Sequence, residues 1–374
     1  MDLFDLKSLN SQEYFNRRMT PKFHTLTISD IRKETEDTVS IAFEIPNDLK
    51  EFYTYKPGQY LTLKAIINGE DTRRSYSLCS SPLENEWRVA IKQIENGRFS
   101  TFANNELKVG QALEVMTPTG NFHAVVNPEN KKSYVLFAAG SGITPIFSIA
   151  KTILNEEPNS DVTLFYGNKG FLSIIFREEI EGLKNTFMDR LRIVHVLSRE
   201  SLGNKIQKGR IDAKKIEELY NAFLKETQID EVFVCGPEEM IHSVKDQLSN
   251  FGVESSKIHF ELFLTSAPKV NITEKTTNEA SIASNVKVII DGDLIELAME
   301  SSGESILDAA QRAGGDLPFA CKGGVCCTCK AKILEGSAKM DVNYALEPDE
   351  VENGYILTCQ AHPTSSKLTV SFDE

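Results

Sequence analysis

The chain has 374 residues, of which 41% are hydrophobic and 25% are charged, and its formal net charge is −13. This length exceeds what one ordinary hydrophobic core takes, which predicts two or three domains, and the acidic balance argues against nucleic-acid binding because that requires a basic face. No apolar stretch reaches the roughly 18 residues that span a bilayer, and the acidic N-terminus lacks the pattern of a secretory signal, so we expect a cytoplasmic protein with no membrane partner.

The first predicted domain is a small antiparallel barrel over residues 21–130, preceded by a polar arm over residues 1–20. Short alternating runs typical of β-strands occur at residues 23–28, 39–45, 60–64 and 87–92. Turn signals such as Asn68-Gly69 and Asn96-Gly97 separate these runs. Strands at this spacing favour a barrel.

Two short motifs in this domain suit a phosphate-bearing cofactor. The run Arg74-Ser75-Tyr76-Ser77 ends a strand, and Gly97-Arg98-Phe99-Ser100 follows about twenty residues later. Arg74 offers a charged fork for a phosphate, Tyr76 a ring for stacking, and Ser77 a hydroxyl group. The turn at Gly97 and the helix start after it would present N–H groups to a pyrophosphate. The first motif alone is also compatible with ordinary strand residues, and the two motifs together indicate a cofactor more strongly than either one does.

Buried-strand runs alternate with helix-length amphipathic stretches over residues 131–265. The runs are residues 134–138, 162–166, 191–197, 231–235 and 257–261. This βαβ series predicts an α/β domain with a parallel sheet.

Two segments follow strand ends of this predicted sheet, where open α/β sheets bind ligands. Gly140-Ser141-Gly142-Ile143-Thr144-Pro145 follows the first strand and opens a helix, and its small residues would let dinucleotide phosphates reach the helix N-terminus. Cys235-Gly236-Pro237 ends the fourth strand.

Ser198 and Arg199 end the third strand, where the ribose 2′ group of a dinucleotide would be recognised. A serine and an arginine there favour a 2′-phosphate and therefore NADPH, and Arg210 is a second candidate base. Glu200 and the presence of only one serine keep NADH as an alternative, and Arg199 is also compatible with a solvated loop charge.

The predicted linker covers residues 266–284, and a third domain covers residues 285–374, with a helix predicted from Glu304 to Arg312. In this domain Cys321, Cys326 and Cys329 have C-x4-C-x2-C spacing, and Cys359 follows at a distance. This is the ligand spacing of a plant-type [2Fe–2S] cluster, which carries one electron at a time. A zinc site is the alternative, but zinc sites favour paired C-x2-C units and only one such pair is present.

The acidity is concentrated on the cysteine-bearing domain. Residues 285–374 contain 15 acids and 7 bases, so this segment accounts for −8 of the total charge. The negative charge of this domain favours docking to a positively charged protein surface. An equally good explanation is that the charge only increases solubility.

Taken together, the motifs at residues 74–77, 97–100, 140–145 and 235–237 resemble those of the ferredoxin–NADP⁺ reductase superfamily, and the cysteine pattern resembles a fused plant-type ferredoxin. This order of domains is similar to the electron-supplying subunits of multicomponent oxygenases. Several stretches also resemble the reductase subunits of ring-1,2-phenylacetyl-CoA epoxidases. These stretches are residues 23–27, 56–65, 96–100, 113–116, 209–212, 316–326 and 343–350.

The resemblance implies a flavin-binding β-barrel, a nucleotide-binding α/β domain and a β-grasp ferredoxin of α+β class. It implies FAD held by Arg74 and the turn at Gly97, with Tyr76 and Ser77 at the isoalloxazine ring. Thr144 and Cys235 would border the nicotinamide. Glu261 and Phe263 match a segment that brings an acid and an aromatic ring near the flavin.

The function that the resemblance implies is an electron relay. NADPH would reduce FAD, and the [2Fe–2S] cluster would pass single electrons to the subunits of a di-iron oxygenase, with phenylacetyl-CoA 1,2-epoxidase as the expected acceptor. The alternatives are a reductase of another multicomponent hydroxylase, a stand-alone NAD(P)H:acceptor oxidoreductase, and a redox-sensing subunit.

Overall fold

The computed structural model describes residues 21–263 and 282–374, and the chain divides into two compact units. Residues 24–263 belong to one unit and residues 282–374 to the other. The predicted arm over residues 1–20 lies outside the described residues, as does the predicted linker apart from its last three residues. Within the described ranges, no helix is long and apolar enough to cross a membrane.

The first sheet of residues 24–263 is antiparallel and six-stranded, with the order β4-β3-β6-β1-β2-β5. Its strands are β1 (Phe23–Thr35), β2 (Thr38–Glu44), β3 (Tyr60–Ile67), β4 (Glu70–Ser77), β5 (Trp87–Lys92) and β6 (Ala112–Met116). Helix α1 (Arg98–Asn105) packs against this sheet. Asn68 and Gly69 both have positive φ, as a tight turn between β3 and β4 requires. A bridge between Leu78 and Val89 brings the two edge strands together, which confirms the predicted barrel.

The second sheet of this unit is parallel, with the order β11-β10-β7-β8-β9. Its strands are β7 (Ser133–Ala139), β8 (Asp161–Asn168), β9 (Leu191–Leu197), β10 (Glu231–Gly236) and β11 (Ile258–Leu262). The helices are α2 (Ile143–Glu156), α3 (Arg177–Thr186), α4 (Ala213–Leu219) and α5 (Glu238–Asn250). The five predicted strands are all present. The chain winds outward in both directions from β7, so a crevice opens between the carboxyl ends of β7 and β10.

Residues 282–374 form a five-stranded mixed sheet, with the order β13-β12-β18-β14-β16, and a separate two-stranded sheet of β15 and β17. The strands are β12 (Ala283–Ile290), β13 (Asp293–Glu300), β14 (Lys330–Glu335), β15 (Ala338–Met340), β16 (Tyr355–Leu357), β17 (Ala361–Pro363) and β18 (Lys367–Ser371). The helices are α6 (Ile306–Arg312) and α7 (Pro348–Glu352). This mixed sheet with packed helices agrees with the predicted α+β ferredoxin class.

Helix α6 begins two residues later than its sequence pattern indicates. The pattern predicts a start at Glu304, whereas the helix begins at Ile306 because Ser305 is its N-cap. The Ser305 hydroxyl accepts a hydrogen bond from the Asp308 amide at 3.2 Å.

Candidate functional site

The strand end at residues 74–77 lies beside the start of helix α1. The ring centroids of Tyr76 and Phe99 are 5.6 Å apart. Arg74 is exposed, and its guanidinium donates to the Arg73 carbonyl at 2.7 Å. Ser75 shares a hydrogen bond with the Thr62 hydroxyl at 3.0 Å. The two motifs, twenty residues apart in sequence, therefore form one surface.

The start of α1 is suited to an anion. Gly97 is the N-cap, and no side chain caps the first amides of the helix. Ser100 is buried, and its hydroxyl accepts from the Ile94 amide at 3.3 Å, which fixes the turn. Arg98 is exposed and forms an ion pair with Glu70. A cavity of about 320 Å³ adjoins this turn and is lined in part by Asn68, Asn96, Gly97 and Arg98. These features fit the phosphate groups of FAD.

The crevice between β7 and β10 depends on a very close backbone approach. A Cβ atom added at Gly142 would lie 2.1 Å from the Cys235 carbonyl oxygen, so only glycine fits there. A Cβ at Gly236 would lie 3.1 Å from the Ala139 Cβ. Gly140 has a φ of +54°, which glycine adopts without strain. The structure thus brings the motifs at residues 140–145 and 235–237 together.

The remaining members of the first motif have local partners. The Thr144 hydroxyl donates to the Ser141 carbonyl at 3.0 Å. Ile143, Thr144 and Pro145 are buried at the start of α2. The open backbone above them fits the phosphates of a dinucleotide.

The end of β4 meets the end of β11 through one hydrogen bond. The Ser77 hydroxyl donates to the Glu261 carboxylate at 3.2 Å. Cys235 pairs with Glu261 in the register of β10 and β11. Phe263 follows β11 and packs, half-buried, against the core of the parallel sheet. Ser77, Cys235, Glu261 and Phe263 therefore lie around the ends of strands from both sheets.

Burial dominates the electrostatics of this junction. It raises the pKa of Glu261 to about 8, although the hydrogen bond from Ser77 opposes the shift. Burial, together with the nearby Glu261 carboxylate, also raises the pKa of the Cys235 thiol well above its ordinary value. Both groups are consequently neutral over much of the physiological range, which favours contact with an apolar ring.

The predicted ribose-recognising residues lie at the same edge of the parallel sheet, two strands from β7. The Ser198 amide donates to the Asn168 carbonyl at 2.9 Å, and Arg199 is exposed. A bridge between Leu197 and Lys208 returns the chain to the end of β9, so Arg210 is brought near this edge.

The four predicted cluster ligands lie in one part of the second unit. Cys326, Cys329 and Cys359 are buried, and Cys321 is half-buried. The Cys326 thiol donates to Cys321 Sγ at 3.1 Å. His362, the nearest histidine, instead pairs with Asp341 at 3.1 Å.

Backbone amides around the cysteines favour negatively charged sulfur. The hydrogen bond from the Cys326 thiol, against the opposing effect of burial and with help from the amides of Gly323, Val325 and Cys326, holds the pKa of Cys321 below its ordinary value. Gly324 has a φ of +74°, and a Cβ there would lie 2.9 Å from the Val342 carbonyl oxygen. This tight loop of soft donors and amides fits a [2Fe–2S] cluster.

Two further polar side chains shape these sites without having stood out in the sequence. The Tyr166 hydroxyl donates to the Gly140 carbonyl at 3.1 Å and accepts from the Ile175 amide at 3.3 Å. The Gln360 side chain donates to the Lys322 carbonyl at 3.1 Å and lies 3.7 Å from Cys359 Sγ. Gln360 could have been predicted as a site residue from its position directly after the fourth cysteine. No motif in the sequence indicates a role for Tyr166.

Comparison with known proteins assigns a class to each part of the chain. Residues 25–124 match the oxidoreductase FAD-binding domain, residues 136–246 the oxidoreductase NAD-binding domain, and residues 288–364 the 2Fe-2S iron-sulfur cluster binding domain. The chain is thus an oxidoreductase with flavin, nicotinamide and iron–sulfur domains.

The chain belongs to the family of oxygenase reductase components in which these three domains are joined. It is 44% identical to a subunit of 1,2-phenylacetyl-CoA epoxidase from Escherichia coli (strain K12), over 94% of this chain and 98% of that protein. It is 34% identical to the ferredoxin reductase component of 3-ketosteroid-9-alpha-monooxygenase from Rhodococcus rhodochrous, over 93% of this chain and 96% of that one. The solved structure of phthalate dioxygenase reductase has the same fold, with a TM-score of 0.57 at 24% identity, and covers 93% of this chain and 98% of that one.

Replacing Glu261 should change how the stability of the chain depends on pH. The folded-state pKa lies above the ordinary value of 4.5, so the protonated carboxyl group stabilises the fold fully below about pH 4.5 and less as pH rises to about 8. In this window the free energy of unfolding should fall by at most about 1.4 kcal/mol per pH unit. Thermal unfolding of the purified chain from pH 5 to 9 should show this slope, and Glu261→Gln should remove it. The exposed Glu254→Gln is the control, and parallel profiles for the wild type and Glu261→Gln would contradict the assignment.

Replacing one cluster cysteine should separate the two halves of the electron path. Cys326→Ser should abolish transfer to an oxygenase and spare reduction of the bound flavin by NADH or NADPH, because the predicted relay places the cluster after the flavin. The neighbouring Cys327→Ser should retain both steps, because Cys327 lies outside the ligand spacing. Iron content, flavin absorbance and oxygenase turnover are the measurements. Loss of flavin reduction in Cys326→Ser with the flavin still bound would refute this order.

Proposed function

We propose that this chain carries electrons from NADPH to a di-iron oxygenase that acts on phenylacetyl-CoA. The observation that supports this most strongly is the identity of 44% to a 1,2-phenylacetyl-CoA epoxidase component, which extends over 98% of that protein. Identity to the reductase component of the 3-ketosteroid enzyme is lower, 34% over a similar span.

Bound FAD would supply the chemistry that accepts a hydride from the nicotinamide and releases its electrons one at a time, and a [2Fe–2S] cluster would supply one-electron transfer. The chain's own residues orient the partners of this reaction. Arg74 and the amides at the start of α1 would hold the FAD phosphates, with Tyr76 and Ser77 at its ring. The crevice at Gly142 and Cys235 would admit the nicotinamide.

The neutral Glu261 carboxyl and Cys235 thiol suit an apolar, water-poor contact between the two rings. Ser77 donates to Glu261 at 3.2 Å and so holds the carboxyl group in place. Cys321, Cys326, Cys329 and Cys359 would ligate the cluster. Donation from nearby amides lowers the cost of thiolate charge in this loop.

The preference for NADPH is supported by the surroundings of β9. Glu200 is the residue that would favour the ribose hydroxyl of NADH. One oxygen of its carboxylate accepts the Phe171 amide at 2.9 Å and so has a protein partner. Arg199 and Arg210 are candidate donors for a 2′-phosphate, and the Ser198 hydroxyl, which donates to the Asn168 carbonyl at 3.3 Å, would have to turn to join them.

Removing the Arg199 guanidinium should weaken NADPH use selectively. Loss of a charge-assisted hydrogen bond to phosphate should raise the KM for NADPH by about tenfold or more and leave that for NADH nearly unchanged. Arg192→Ala is the matched control, since Arg192 is an exposed arginine near the start of β9, at the opposite end of the strand that Arg199 follows. Steady-state reduction of an artificial acceptor measures both constants. An equal change for the two nucleotides would contradict the assignment of Arg199.

Partner choice can be tested by reconstitution. The purified chain should support NADPH-dependent turnover of the oxygenase subunits of a phenylacetyl-CoA epoxidase. Oxygenase components for 3-ketosteroids or glycine betaine, given the same chain, should turn over at least about tenfold more slowly, because partner surfaces discriminate by their contacts. Equal or faster turnover with either of those components would refute the proposed acceptor.

A further inference from the structure

The middle of helix α2 is hydrogen-bonded to the segment that follows the motif at residues 74–77. The Ser148 hydroxyl donates to the Ser80 carbonyl at 2.6 Å, and the hydroxyl groups of Ser81 and Thr152 are 2.8 Å apart. We call these four residues the hydroxyl seam. An ion pair between Lys151 and Glu84 at 2.6 Å runs beside it.

The hydrogen-bond directions within the hydroxyl seam can be assigned. The Thr152 hydroxyl donates to the Ser148 carbonyl at 2.7 Å, so the Ser81 hydroxyl is the donor to Thr152. All four residues are at most 2% exposed. Water cannot substitute readily at such a site, so each lost hydroxyl leaves a buried partner unsatisfied.

The sequence places the seam on one face of α2. Ser148, Lys151 and Thr152 are spaced i, i+3 and i+4, and residues with that spacing lie side by side on a helix. Ser81 also caps a short turn with Glu84, since the Ser81 amide donates to the Glu84 carboxylate at 2.8 Å and the Leu83 amide donates to the Ser81 hydroxyl at 3.3 Å. The segment at residues 80–84 is thus rigid where it meets the helix.

The seam lies between the two candidate cofactor sites. Ser80 follows Ser77 by three residues, and Ser148 lies five residues after the start of α2 at Ile143, a rise of about 7.5 Å along the helix. At that start, Gly142 is pressed against the Cys235 carbonyl. A helix held at both points transmits any shift at the seam to the nicotinamide crevice.

We propose that Ser148 and Thr152 are positioning residues for hydride transfer. They fix the depth of the crevice at Gly142 relative to the flavin edge at Ser77, so that donor and acceptor meet at reacting distance. This role rests on the proposed function. It predicts an effect on the rate of the step and not on the affinity for the nucleotide, because none of the four seam residues is among the predicted cofactor-binding residues.

The test uses the FAD-loaded, cluster-loaded chain and the variants Ser148→Ala, Thr152→Val and Thr152→Ser. In anaerobic stopped-flow, the limiting rate of flavin reduction by NADPH should fall by about tenfold or more in Ser148→Ala and Thr152→Val, as small misplacements do. The half-saturating NADPH concentration and the FAD content should stay within about twofold of wild type, since the binding residues are intact. Thr152→Ser should restore the rate because it keeps the hydroxyl. Thr186→Val is the matched control, because Thr186 is exposed on α3 and its hydroxyl donates only within its own helix, to Gly182.

A second readout is independent of activity. Hydrogen exchange of the Leu83 and Glu84 amides should accelerate in Ser148→Ala and Thr152→Val and stay unchanged in Thr186→Val. Variants that exchange faster but reduce at the wild-type rate would overturn the proposal. A loss of rate that is fully explained by loss of bound FAD would also overturn it. Variants in which neither the reduction rate nor the hydrogen exchange changes would do the same. If the wild-type flavin is reduced by neither NADPH nor NADH, the proposed function fails, and the role of the seam fails with it.

Discussion

The hydrogen bond between Ser77 and Glu261 is the contact on which the candidate redox site depends. Ser77 ends a strand of the antiparallel sheet, and Glu261 lies near the end of an edge strand of the parallel sheet. The two sheets of this unit share one site where these strand ends meet. The same junction leaves Glu261 half-buried, and the loss of hydration raises its pKa to about 8. The position of Glu261 and its raised pKa therefore have the same structural cause.

Glycine residues allow the close backbone approach at the nucleotide side of the candidate redox site. The approach of Gly142 to the Cys235 carbonyl leaves no room for a side chain, so the start of α2 sits directly on the end of β10. At the iron–sulfur domain, Gly324 has the same role in a different fold, where its positive φ and its contact with Val342 tighten the loop around the cysteines. In both places a missing side chain lets backbone groups face a ligand.

Much of the fold was predictable because its signals are local. The five buried runs gave the strands of the parallel sheet, the turn at Asn68 and Gly69 marked a hairpin, and the spacing of Cys321, Cys326 and Cys329 indicated the cluster. The hydrogen-bond and ion-pair partners of Glu261, Arg98 and Tyr166 were not predictable from the sequence pattern alone. Each contact joins residues that are distant in sequence, and each depends on the direction in which the side chains point. The late start of α6 is a smaller case, where the capping hydroxyl of Ser305 outweighs the acidic residue before it.

The central claim is that one chain takes electrons in pairs and delivers them singly. An anaerobic reductive titration of the holoprotein, followed by flavin absorbance and by the electron paramagnetic resonance signal of the reduced cluster, tests it most directly. The account predicts uptake of three electrons per chain, two at the flavin and one at the cluster. A chain that takes up only two electrons, with no resonance signal from a reduced cluster, would contradict it.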